Sequence, residues 1–124
     1  ALLSALEVVN PAIEDTLEAA ILSKMGDRGQ IANGIIDGPF ALDNAISEKA
    51  AQQKGLDGEV AGKADILVAP NLQVGNVLTK ALTYYAHKDM AFTIVGAEVP
   101  IILTSRTDSV KNKMLSIGLA SYIS

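Results

Sequence analysis

The chain has no cysteine, no tryptophan and one histidine, His87, among its 124 residues. Without thiols it forms no disulfide and offers no thiolate to a metal. A reducing compartment suits such a chain, and a cytoplasmic location is the expectation. With a single imidazole, a zinc site would have to be built mostly from carboxylates, so no metal site is expected. There is no long basic run and the net charge is −4, which argues against a nucleic-acid partner. No apolar run reaches the roughly 18 residues of a membrane helix, and nothing at the start reads as a signal peptide, so no membrane partner is expected. Neither GxGxxG nor GxxxxGK[ST] occurs, and "GDRG" at Gly26 to Gly29 is too short to cradle a nucleotide.

What the chain does have is apolar mass. Hydrophobic residues make up 49% of it, which excludes disorder and supplies a core for a domain of this length. It opens on "ALLSALEVV", with no initiating methionine and no polar lead-in, and reads as an excerpt of a longer protein.

Leu2 to Val9 reads as a buried strand. Asn10-Pro11 then reads as a cap and first helical residue, with Ile13, Leu17, Ala20, Ile21 and Met25 at helical spacing before Gly26. Ile31 to Ile36 is a second expected strand, ending at Asp37-Gly38-Pro39. Leu42, Ala45, Ile46 and Ala50 mark a helix closed by Gly55. Asp65 to Ala69 is a third strand. Val74, Val77, Leu78, Ala81, Leu82 and Tyr85 mark a third helix. Ala91 to Ala97 and Ile101 to Thr104 are further strands, and Val110, Met114, Ile117 and Leu119 run along a last helix. Apolar strands alternating with helices predict an α/β fold of three layers, a mostly parallel sheet with helices on both faces.

In such folds ligands gather beyond the carboxyl ends of the strands. The most informative end is "PIILTSRTDSVKNK", Pro100 to Lys113. Thr104 and Ser105 supply hydroxyls, and the start of a helix supplies free N–H groups and a positive dipole end. Arg106 is unfavourable beside that dipole unless an anion sits between them, and its planar fork grips two oxygens of a phosphate. The competing reading has Asp108 or Thr107 capping the helix while Arg106 pairs with Asp108 or meets solvent. "PNLQVGN" places Asn71, Gly75 and Asn76 at the start of the third helix, either lining a ligand or serving as a cap and a packing glycine. Asp37 and Asp43 flank "GPFAL", either an acid–base pair or a turn and a helix surface. His87 reads as a cation at a helix C-terminus or a solvated residue.

"LSALEVVNP", "DGPFALDNA", "VAGKADILVAPNLQVGN" and "VGAEVPIILTSRTDS" occur in this order. Together they closely resemble the phosphate acetyltransferase and phosphate butyryltransferase family, with "DGPFALDNA" and "PIILTSR" nearer the butyryl branch. The resemblance covers essentially the whole chain. It implies a fold like that of isocitrate and isopropylmalate dehydrogenases. Residues 1–124 would then be the C-terminal part of a two-domain enzyme whose upstream domain is absent. It implies transfer of a short acyl group, butyryl or branched-chain, between CoA and orthophosphate. CoA is a substrate, no cofactor is needed, and the assembly is a homo-oligomer. Ser105 and Arg106 match the family's Ser-Arg pair, associated with phosphate and substrate, and Thr104 precedes them. Asn71, Gly75 and Asn76 match its cleft-lining loop, and Asp37 and Gly38 its "DG" strand end. The acetyl branch has a catalytic Asp six positions after the Arg. Here Asn112 stands at that position, and Asp108 is the alternative base. A non-catalytic acyl-CoA-binding domain of the same fold is the second reading, and Asn112 is what supports it.

Overall fold

A computed structural model of the chain describes all residues, Ala1 to Ser124. Five helices are present: α1 (Glu14–Asp27), α2 (Leu42–Ile46), α3 (Glu48–Gln53), α4 (Leu72–Tyr84) and α5 (Val110–Ile123). The chain divides into two compact units, Ala1–Gly75 and Asn76–Ser124.

The first unit is organised around its opening segment. Leu2 N–H donates to the Asp37 carbonyl at 2.9 Å, Phe40 N–H to Leu2 at 2.9 Å and Ser4 N–H to Phe40 at 2.8 Å. On the other side Leu3 N–H donates to Val68 and Val68 N–H to Ala1, both at 2.9 Å. Leu2 and Leu3 are buried here with Ala19 of α1, Phe40, Ala45 of α2, Ala51 of α3, Val60 and Ala61. The loop after α3 closes over the α2–α3 junction, Gly62 N–H donating to Asn44 and Ala64 N–H to Ala45. Gly62 has φ +76° and lies against the Glu48 backbone, where a side chain would have no room.

In the second unit Asn112 and Ser116 of α5 hold the segment before them by its backbone. Asn112 Oδ1 accepts from Met90 N–H at 3.2 Å and Ser116 Oγ accepts from Phe92 N–H at 2.9 Å. Both side chains are buried, and Ser116 also donates to the Asn112 carbonyl at 2.8 Å. Ile94 N–H donates to the Ile101 carbonyl at 2.9 Å, and Thr93 Oγ1 adds a second donor to that oxygen.

The expected mostly parallel sheet is not formed. Pairing is confined to three isolated bridges, Leu2 with Val68 and Leu3 with Phe40 in parallel and Ile94 with Ile101 antiparallel. Ile31–Ile36, the second expected strand, pairs with nothing; the opening segment bonds Asp37 and Phe40 on one side and Val68 on the other. A proline stands within two residues of each bridge: Pro39 beside Phe40, Pro70 after Val68, Pro100 beside Ile101. Proline has no N–H to donate, so a ladder stops there. Ile35, Ile66 and Val95 lie on the expected strands yet are exposed, so those strands are not covered on both faces. An apolar run reports a tendency to burial; it does not specify a neighbour or the length over which that neighbour pairs.

Two helix boundaries also differ. Asn10 Oδ1 accepts from Ala12 N–H at 2.9 Å and the Asn10 carbonyl accepts from Ile13 N–H, making a turn ahead of α1 rather than its cap. The single helix expected from Leu42 to Ala50 breaks at Ser47, which has an extended backbone and whose side-chain oxygen caps α3 by accepting from Ala50 N–H at 3.3 Å.

Candidate functional site: the Ser105–Ser109 loop

Thr104, Ser105, Arg106 and Asp108 lie on one loop of the second unit, leading into α5. The loop is built by its own small polar residues. Asp108 Oδ2 accepts from Ser105 N–H at 2.5 Å, and Asp108 N–H donates to the Ser105 carbonyl at 3.1 Å. Ser105 and Thr107 hydroxyls are 3.0 Å apart, and Thr107 N–H donates to Ser105 Oγ at 3.4 Å. Ser109 is the α5 cap, accepting from Asn112 N–H at 3.1 Å. This satisfies one of the helix's orphan donors, the hydroxyl role expected at such a position.

Arg106 is exposed and takes no part in this network. Asp108, the partner one sequence reading assigned to it, is turned to the Ser105 amide instead. The chain's ion pairs are Lys24–Asp27, Lys54–Glu7, Lys54–Asp43 and Lys111–Asp89, and none includes Arg106. The guanidinium is therefore a free bidentate donor four residues before α5. A cavity of about 320 Å³ adjoins the loop, lined by Tyr84, His87, Lys88, Thr107, Ser109 and Asn112 among others. Tyr84, near the end of α4, donates to Thr107 Oγ1 at 3.0 Å. His87 lies just beyond that helix with φ +49°, its side chain exposed.

The remaining candidates have different surroundings. Asn71 Oδ1 accepts from Val74 N–H at 2.9 Å and so caps α4. Gly75 has only the Ala69 side chain near it, at 3.6 Å from where a Cβ would stand. Asn76 is exposed, one position on and in the second unit. Asp37 and Gly38 belong to the first unit. Asp37 Oδ1 accepts from Gly38 N–H at 2.8 Å and from the Ser23 hydroxyl at 3.3 Å. Asp43 bonds its neighbour Asn44 N–H and Lys54 instead, so the two carboxylates of "DGPFALD" serve separate neighbours.

Sequence reasoning missed Tyr84 and Thr107 as members of the loop network; a tyrosine at the end of a helix carries no local sign of its partner. It also missed the Glu7 cluster in the first unit. Glu7 accepts from Lys54 at 3.1 Å and from buried Asn44 at 3.2 Å. The Lys54 hydrogen bond is the main cause that holds the Glu7 carboxyl below its ordinary value, and the same bond raises Lys54.

Residues 1–121 match the family described as Phosphate acetyl/butaryl transferase. The chain belongs to this family. It is 54% identical over 121 residues to a phosphate acetyltransferase of Thermotoga maritima, covering 98% of this chain and 41% of that relative. It is 55% identical over 117 residues to a phosphate butyryltransferase of Clostridium beijerinckii, covering 94% and 39%. The likeness is thus shared evenly between acetyl and butyryl relatives. Among solved structures, a branched-chain phosphotransacylase from Enterococcus faecalis superposes with a TM-score of 0.82 at 39% identity, over 97% of this chain and 43% of that one. The chain therefore spans about two fifths of the length of the curated relatives it matches. No helix is long and apolar enough to cross a membrane.

Proposed function

We propose that the complete protein is a phosphate acyltransferase that interconverts acyl-CoA plus orthophosphate with acyl phosphate plus CoA, acting on a short acyl group, butyryl or branched-chain. The observation that carries this reading, given the family, is the unpaired Arg106 on the loop before α5. Asp108 is occupied by the Ser105 amide, so it does not neutralise the guanidinium. Arg106 grips two phosphate oxygens, and Thr104 and Ser105 add hydroxyl donors. A third phosphate oxygen attacks the thioester carbonyl carbon. A C–O bond forms, the C–S bond breaks, and CoA sulfur leaves as the thiolate and takes up a proton. Holding phosphate against the thioester converts a bimolecular encounter into a positioned one. Donors at the developing oxyanion stabilise the tetrahedral intermediate, and Asn76 is the candidate amide. Asn71, Gly75, Asp37 and Gly38 are assigned to substrate binding by their match to family motifs. CoA enters as substrate, with no further cofactor. The working form is a cytoplasmic homo-oligomer, which sedimentation of the complete protein checks.

The test mixes the complete protein with butyryl-CoA and follows thioester absorbance with and without phosphate. Phosphate-dependent loss that disappears in Arg106→Ala is the expected result. Normal kinetics in that variant would overturn the site assignment.

Asn112 favours a second reading, an acyl-CoA-binding domain without catalysis. It stands where the acetyl branch has an Asp, is 4% exposed, and spends its oxygen on the Met90 amide. CoA binding without phosphate-dependent thioester loss would select that reading.

A further inference from the structure

We propose that Tyr84 and Thr107 are positioning residues that orient the Ser105 hydroxyl as a hydrogen-bond donor to phosphate. The inference rests on the reading of the Ser105–Arg106 loop as the phosphate site.

It follows from counting protons. A hydroxyl carries one proton and two acceptor lone pairs. Tyr84 Oη donates to Thr107 Oγ1 at 3.0 Å. A phenol is the stronger donor of such a pair, and this direction leaves the Thr107 proton free. Thr107 Oγ1 is 3.0 Å from Ser105 Oγ, a contact in which either hydroxyl could donate, and the proposed relay takes the direction in which Thr107 donates. Thr107 N–H also points to Ser105 Oγ, at 3.4 Å. Both Ser105 lone pairs are then taken by Thr107, and the single Ser105 proton is left without a partner in the chain. In that direction it is the one hydroxyl proton of the network that goes to something outside it. Meanwhile Asp108 fixes the Ser105 backbone through its N–H, so the residue is held at both ends. Aligned hydroxyls polarise one another, which strengthens the last donor of the chain. An anion gripped by the neighbouring Arg106 is the acceptor such a donor suits.

The side chain of Tyr84 is half exposed, so the hydrogen bond to Thr107 is its specific tie to the loop and not a by-product of deep burial. Tyr84→Phe removes that donor and keeps the ring. Thr107 is then free to turn its proton elsewhere, and Ser105 loses its fixed orientation. Thr107→Val removes the relay altogether, while Thr107→Ser keeps it.

The test uses the complete protein and two readouts. The first is calorimetric titration with inorganic phosphate; the second is the KM for phosphate and for acyl-CoA. Tyr84→Phe and Thr107→Val should weaken phosphate about three- to tenfold, the range for one lost hydrogen bond, and leave the KM for acyl-CoA unchanged. Thr107→Ser should bind phosphate as the unaltered protein does. A merely structural role would shift both KM values together and would not be rescued by serine. If Arg106→Ala loses phosphate while Tyr84→Phe and Thr107→Val bind it normally, the relay is wrong and the phosphate site stands. If Arg106→Ala binds phosphate normally, the site and the relay both fall.

Discussion

Asn112→Ala separates a structural asparagine from a catalytic one. The side chain is 4% exposed, and its oxygen is the acceptor for Met90 N–H at 3.2 Å. Removing it leaves that donor unsatisfied, a cost of about 1–3 kcal/mol. Alanine's better helix propensity returns about 0.5 kcal/mol. The second tie, Phe92 to Ser116, stays in place, so the segment is loosened rather than released. The expected net loss is about 1–2 kcal/mol. In urea, with a slope of roughly 2 kcal/mol per molar, this moves the unfolding midpoint down by about 0.5–1 M. Hydrogen exchange at the Met90 amide should accelerate about tenfold, since 1.4 kcal/mol of local stability corresponds to that factor. Turnover per folded molecule should change less than about twofold, because 112 touches no substrate on this reading. An unshifted midpoint together with a hundredfold fall in kcat would refute the structural assignment and return position 112 to the chemistry.

Gly38→Ala should destabilise the first unit by about 1–3 kcal/mol, the range for overpacking, because its Cβ would stand 2.7 Å from Leu2 Cβ and 2.9 Å from the Leu2 carbonyl oxygen; a midpoint equal to the unaltered chain's would show that the opening segment yields. Asn71→Ala should cost about 1 kcal/mol through the lost α4 cap, whereas Asn71→Ser should retain most of it, as read by the same unfolding experiment. The Glu7 carboxyl titrates below its ordinary value of 4.5, mainly because Lys54 hydrogen-bonds it. A depressed carboxyl stabilises the fold above that value and loses the contribution as pH falls through the lowered one. Glu7→Gln should therefore flatten the fall in Tm between about pH 6 and about pH 3. An equally steep fall in the variant would remove Glu7 from the acid response.

The helices were the legible part. Apolar residues from Val74 to Tyr85 marked α4, and those from Val110 to Leu119 marked α5, because helical contacts repeat every three or four residues and leave a local trace. The loop motif was legible as chemistry: two hydroxyls, an arginine and an aspartate before a helix narrow the choices to an anion site or a cap with the arginine paired to Asp108 or facing solvent. The choice between those two was not legible. Nor was it legible whether Asp108 faces Arg106 or the Ser105 amide, which depends on one side-chain rotamer. The break at Ser47 was hidden because the apolar spacing runs through it. The sheet failed for a different reason. Each expected strand was apolar enough to be buried, but pairing needs a partner brought in from far along the chain, and Pro39, Pro70 and Pro100 stand beside the bridges that did form.

By itself the sequence determined the helical segments, the absence of thiol chemistry, and the order of motifs that places the chain in its family. These are properties of near neighbours and of composition, which a linear string records in full. Only the tertiary structure decided that Asn112 holds Met90, that Tyr84 reaches Thr107 twenty-three positions away, and that Arg106 is left without a partner. Each of those outcomes is a competition among donors and acceptors that the fold brings within about 3 Å of one another, and no spacing along the chain states which of them wins.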